Sequence, residues 1–157
     1  MSMSTFDPNA FLDMPVDEVF VKRPPLPIGD YTATIQEISA RQWTGKEDPT
    51  KTGLAYDLTL LLEIPEAVAT MCNLVKPNLT LKDPVMVDLT SEGAIDSAPG
   101  RNRQLRAYRD ALDMNKAGVA FRAREMAGRL LKVRIKHDIW PLGSDNIIEK
   151  IAGVAKL

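Results

Sequence analysis

The chain has 157 residues, with 20 Lys and Arg against 21 Asp and Glu and a net charge of −1. Its apolar fraction of 45% is enough for one packed core, and its lone cysteine, Cys72, cannot close an internal disulfide. A single histidine argues against a structural zinc site, no apolar run approaches the ~18 residues that span a bilayer, and Met1 to Asn9 lack the basic start and apolar stretch of a secretory signal, so a reducing cytoplasm is the expected location.

The near-neutral total conceals an asymmetry. Residues 101–136 hold 11 Lys and Arg against Asp110, Asp113 and Glu125, a net of +8, which leaves −9 for the remainder. Charge spread this unevenly points to a polyanionic partner, or else to a solvated face balanced by acidic neighbours in the fold.

In chain order, residues 1–27 contain Pro8, Pro15, Pro24, Pro25 and Pro27 and read as an extended N-terminal arm. Phe6, Phe11, Leu12, Val19 and Phe20 within it are candidate apolar plugs that dock on the domain or on a neighbour. A domain spanning 28–157 follows. Tyr31, Ala33 and Ile35 alternate with polar residues as in a half-buried strand, and the phase slips at Ile38, which predicts a bulge. Ala40 to Thr52 reads as a loop. Leu54, Tyr56, Leu58, Leu60, Leu62 and Ile64 share one face of a long second strand. Residues 65–78 are a short helical turn or a loop. A third strand over Leu79–Thr90 carries Pro84, which places it at an edge or a bulge. Arg101–Met114 reads as a helix, with Leu105, Tyr108 and Leu112 on one stripe. A further helical piece near Phe121–Ala127 ends at Gly128. Leu131, Val133 and Ile135 then alternate with Lys132, Arg134 and Lys136, and a last strand runs from about Asn146 to Val154. The order β-β-β-α-β-β is that of a mainly β, five-stranded OB-fold barrel; an open α+β sheet uses the same elements.

Residues suited to catalysis are scarce. Gly45-Lys46 lacks the rest of a phosphate loop. His137 stands alone at a strand end, and Cys72 has no partner motif. Glu47 with Asp48, and Asp145 with Glu149 and Lys150, match no metal-dependent nuclease spacing. The expectation is a binding protein with no catalytic residues, no metal and no cofactor. Trp43 and Trp140, the only tryptophans, fall in the two loops that flank the binding groove of an OB fold, with Arg41, Lys46 and Lys51 near the first and Lys136 before the second. Loop aromatics stack on bases at ~1–3 kcal/mol each, and cations follow the phosphate backbone. The candidate DNA-binding set is therefore Arg41, Trp43, Lys46, Lys51, Tyr56, Lys132, Arg134, Lys136 and Trp140. Tyr56 is its weakest member, because its strand phase places it with the core.

Four stretches carry a likeness to a known family: Leu26-Pro27-Ile28-Gly29-Asp30-Tyr31, the apolar strand Leu54–Ile64, the helix Leu105–Asp113, and Met126-Ala127-Gly128-Arg129-Leu130 ahead of a basic strand and Asn146-Ile147-Ile148. Over residues 26–155 the chain resembles the phage-encoded OB-fold proteins that bind single-stranded DNA. The resemblance implies sequence-independent coating of single strands, DNA rather than RNA, during replication or recombination of a bacteriophage genome in the host cytoplasm. Proteins of that class often end in an acidic tail, whereas this sequence reads Gly153-Val154-Ala155-Lys156-Leu157 at its end; the acidic, Pro-rich arm is the expected replacement, and homo-oligomers through the arm are expected. The rival reading is a protein-interaction or virion-structural module without nucleic-acid binding.

Overall fold

The computed structural model describes residues 6–139 and 147–157. Five strands form one antiparallel sheet: β1 (Gly29–Thr44), β2 (Thr52–Glu63), β3 (Asn78–Val87), β4 (Leu130–Ile139) and β5 (Ile147–Ala155), in the spatial order β3-β2-β1-β4-β5. Among the described residues β3 and β5 do not pair, so the sheet is open between these two edges. Two short helices interrupt the strands, α1 (Glu66–Met71) and α2 (Arg103–Ala111). No helix of the described residues is long and apolar enough to cross a membrane.

The alternation along each strand decides which face is buried. Tyr31, Ala33 and Ile35 of β1, Leu58, Leu60 and Leu62 of β2, Val85 of β3, and Leu131, Val133 and Ile135 of β4 form one cluster, closed by Leu105, Tyr108 and Ala111 of α2 and by Leu112 just after it. β1 is 16 residues long and serves two neighbours: Gly29–Thr34 pairs with β4, and Ala33–Thr44 pairs with β2. The expected bulge is present between Ile35 and Glu37. It restores phase, so that Ile38 again packs against the core opposite Leu58. Beside the bulge the Ile35 N–H donates to the Arg129 carbonyl, and the Gly128 N–H donates to the Ile35 carbonyl (2.9 and 2.6 Å). Gly128 sits at φ +84°, a left-handed conformation that suits glycine and stops the 3₁₀ turn Ala123–Met126 before β4.

α2 makes its main contacts with β3 and β5, the two edges, rather than with the central strands. The sheet therefore curls around the helix. Tyr108 on α2 donates to Asp83 Oδ2 of β3 at 2.5 Å, and Gln104 reaches Asp83 Oδ1 at 3.2 Å. Burial pushes the Asp83 carboxyl above its ordinary range, opposed by these two hydrogen bonds and by the charge of Lys150 on β5. Pro84 lies on β3, an edge strand, where the missing N–H costs no ladder bond on the open side.

Two readings of the chain change. The loop between the first strands is only 45–51, because β1 continues through Thr44 and pairs residue by residue with β2. Polar residues there alternate as an exposed ribbon, which resembles a loop in composition. The expected plugs Phe6, Phe11, Leu12, Val19 and Phe20 are all exposed. The residue that enters the core from the N-terminal side is Leu26, with 0% exposure. Arg23 holds it there by pairing with Glu149 of β5, while Leu26 N–H donates to Glu149 Oε1 at 2.7 Å and His137 Nε2 donates to the Leu26 carbonyl at 2.6 Å.

Candidate functional site

The face of the sheet opposite the core carries most of the cations singled out from the sequence. Its first part lies on β4, where Lys132, Arg134 and Lys136 point outward and Leu131, Val133 and Ile135 inward, as the alternation predicts. In register, Lys132 stands between Thr32 and Ala155, and Arg134 between Asp30 and Gly153. Lys136 stands opposite Lys150, which reaches Asp138 at 3.5 Å. Arg134 is not free: its Nε donates to Asp30 Oδ1 at 3.0 Å. Lys132 and Lys136 make no ion pair among the described residues.

The second part of the outer face belongs to β1, β2 and β3 beyond the bulge. Register rows run Arg41–Ala55–Met86, Ser39–Asp57–Pro84 and Glu37–Thr59–Lys82, with Trp43 opposite Gly53 at the hairpin end. The Trp43 indole lies flat over Gly53, where an added Cβ would overlap the ring. Glycine at 53 is thus a requirement of close approach rather than of backbone angle. Ala55 is fully covered although it lies on this outer face, and Met86 beside it remains exposed. Trp43, Ala55 and Met86 together make a small apolar platform at one end of the face. Arg41 donates from Nε to Asp57 Oδ2 at 2.7 Å, an exposed pair on this face that takes up part of its charge.

The remaining sequence candidates divide clearly. Lys46 and Lys51 are exposed on the 45–51 turn, next to Glu47 and Asp48. Gly45 N–H donates to the Lys51 carbonyl, Lys51 N–H donates to the Asp48 carbonyl, and Asp48 also caps Thr50, so the turn has a defined shape. Tyr56 faces inward and packs against the core between Ala40 and Val85, so it does not join the outer face. Trp140 lies outside the described residues. Trp43 sits on β1 rather than on a loop, and the register puts it far from the β4 cations along the strand. Lys132 stands beside Thr32, eleven residues before Trp43, which is about 35 Å of strand contour at ~3.3 Å per residue. The two groups share one continuous outer face without forming one cluster.

Met86 and Lys82 were absent from the candidate set, yet their signal was present in the sequence. Both are out of phase with Leu81, Val85 and Val87, so the alternation that placed the core already sent them outward. The helix arginines go elsewhere. Arg101 pairs with Asp96 and Asp88, and Arg109 stacks over the Phe121 ring at 4.4 Å while donating to the Met114 carbonyl.

Cys72 is buried and its thiol donates to the Pro25 carbonyl at 3.5 Å. His137 is engaged by Leu26. Among the described residues no group of three or more His, Cys, Asp and Glu side chains is placed to hold a metal ion. No family model and no curated protein matches the sequence.

Proposed function

We propose that the chain is an OB-like module that binds single-stranded DNA along the outer face of its sheet, without sequence preference and without chemistry. The observation that carries this reading is the outer face itself: one surface holds the β4 cations at one end and the Trp43 platform at the other. The strand order β3-β2-β1-β4-β5 is compatible with a partly open five-stranded barrel parted between β3 and β5, the architecture whose outer face and flanking loops receive oligonucleotides. A path of about 35 Å suits the ~4–16 nucleotides that such folds cover. Lys132, Lys136, Lys82, Lys46 and Lys51 supply charge to the phosphates, and Trp43 with Met86 supplies a flat apolar seat for a base. The resemblance to phage proteins that coat single strands is what suggests replication or recombination of a phage genome as the setting.

The test is titration of oligo-dT, duplex DNA and RNA at two salt concentrations, read by filter binding and by tryptophan emission. The expected result is preferential retention of oligo-dT, quenching that Trp43→Phe reduces, and affinity that falls steeply with salt. Unchanged emission and no retention at low salt would overturn the reading and leave an interaction module without nucleic acid.

A further inference from the structure

The N-terminal arm exposes a long run of apolar side chains. Leu12, Val19, Phe20 and Val21 are 81%, 84%, 86% and 85% exposed, and Phe6, Phe11, Met14 and Val16 are also open to solvent. Together these side chains present on the order of 1,000 Å², against the ~800 Å² that one partner contributes to a stable interface and the ~300–600 Å² of the largest patch on a typical monomer. The arm is not a loose tail at its root. Arg23 is clamped to Glu149, Leu26 is in the core, and the Tyr31 hydroxyl donates to the Pro27 carbonyl at 2.7 Å. A fixed root with an exposed apolar reach is the build of an element that docks on another body.

The arm's charge points to the occupant. Residues 6–22 contain Asp7, Asp13, Asp17 and Glu18 against Lys22, a net of −3, whereas residues 101–136 of the same chain carry +8. That basic segment also exposes Val119 and Leu130. At its edge a cleft of about 340 Å³ lies between α2 and the loop Ile95–Gly100, lined by Leu105, Arg106, Arg109 and Asn115 together with Asp96, whose charge is taken up by Arg101. Neither Arg106 nor Arg109 has a carboxylate partner among the described residues. Arg106, with no carboxylate partner among the described residues, stands there beside Arg109, which stacks over Phe121 and donates to the Met114 carbonyl; a cleft edged by these two guanidiniums suits an aromatic ring preceded by two acids, the pattern Asp17-Glu18-Val19-Phe20.

We infer that the arm of one chain docks on the α2 cleft of a second copy, with Phe20 in the cleft and Asp17 and Glu18 against Arg106 and Arg109. Reciprocal exchange of two arms closes a dimer; one-way exchange makes a longer chain of subunits.

Sedimentation of the full chain in the absence of DNA tests this independently of any nucleic-acid binding. The full chain is expected to associate in a concentration-dependent manner. Deletion of residues 2–22, which leaves Arg23 to Pro27 in place, is expected to give a monomer with an unchanged melting temperature. Phe20→Ser weakens association about tenfold or more. The double variants Asp17→Lys/Glu18→Lys and Arg106→Glu/Arg109→Glu are each monomeric, and mixing them restores a heterodimer. A full chain that is monomeric at about 100 μM, or a truncated chain that associates as well as the full one, overturns the inference. Failure of the mixed charge-reversed pair to associate, with both variants folded by circular dichroism, overturns the cleft as the receiving surface.

Discussion

Arg23 and Glu149 lie 126 positions apart in the chain and meet through two hydrogen bonds, from Nη1 to Oε1 at 2.5 Å and from Nη2 to Oε2 at 2.8 Å. The Glu149 side chain is 7% exposed, and its Oε1 also accepts the Leu26 N–H at 2.7 Å. This carboxylate therefore joins the root of the arm to β5 and holds Leu26 as the plug of the core. Burial alone pushes the Glu149 carboxyl up, but the hydrogen bonds from Arg23 and Leu26 N–H outweigh it and hold the group below its ordinary value of 4.5.

That direction sets a pH dependence. A carboxyl depressed in the folded state stabilises the docked root fully above its unfolded value, and the contribution is lost as pH falls through the folded value. The arm root is expected to loosen below about pH 4.5. Proteolysis between Lys22 and Gly29, followed across pH, reads this out. Glu149→Gln is expected to make the root cleavable at neutral pH and to cost about 1.5–3 kcal/mol in urea unfolding. Equal cleavage of wild type and variant at pH 7 would contradict the clamp.

Trp43 and Gly53 give a second prediction. Gly53→Ala puts a methyl where the indole lies, so the ring must swing outward. In a Trp140→Phe background the emission of Trp43 is expected to shift to the red, and oligo-dT quenching is expected to fall, with the β1–β2 pairing retained. An unshifted spectrum refutes the close approach.

Asn102 gives a third. It caps α2 in a left-handed conformation, φ 51°, and its side chain accepts from Asp88 N–H at 2.7 Å and donates to the Asp88 and Asp96 carbonyls at 3.0 and 2.8 Å. Asn102→Ala loses these bonds and leaves in the left-handed region a residue that tolerates it less well than asparagine, about 2–4 kcal/mol in total. Asn102→Gly loses the same bonds but relieves the strain of a left-handed Cβ, and is expected to be about 1 kcal/mol less damaging. Equal unfolding midpoints for the two variants would remove the conformational part of the argument.

Arg134 and Lys132 separate paired from unpaired cations on the outer face. Asp30→Asn frees the Arg134 guanidinium and is expected to raise affinity for oligo-dT several-fold. Lys132→Gln is expected to weaken binding and reduce the slope of log K against log salt by about 0.7, the share of one phosphate contact on a single strand. Measured slopes that are the same for wild type and both variants would place the DNA elsewhere.

The order of the five strands with α2 between the third and fourth, the core-facing positions, the bulge near Ile38 and the outward row Lys132-Arg134-Lys136 were all legible in the sequence, whereas residues 65–78 left helix and loop open. Each depends on local periodicity, and a period of two residues or 3.6 is written directly into neighbouring side chains. Other features were decided only by tertiary contact. Arg41 and Arg134 look alike as free cations in sequence, yet Asp57 and Asp30 take up part of their charge from other turns of the chain. The boundary of the first loop was misplaced because an exposed β-ribbon has the composition of a loop, and only its pairing with β2 marks it as strand. The true plug, Leu26, stands among prolines that read as an extended arm, and its role depends on Glu149 and His137, more than a hundred residues away. Phe6, Phe11, Val19 and Phe20 show the converse. Their apolar character is plain in the sequence, but only the finished fold shows that they stay exposed among the described residues.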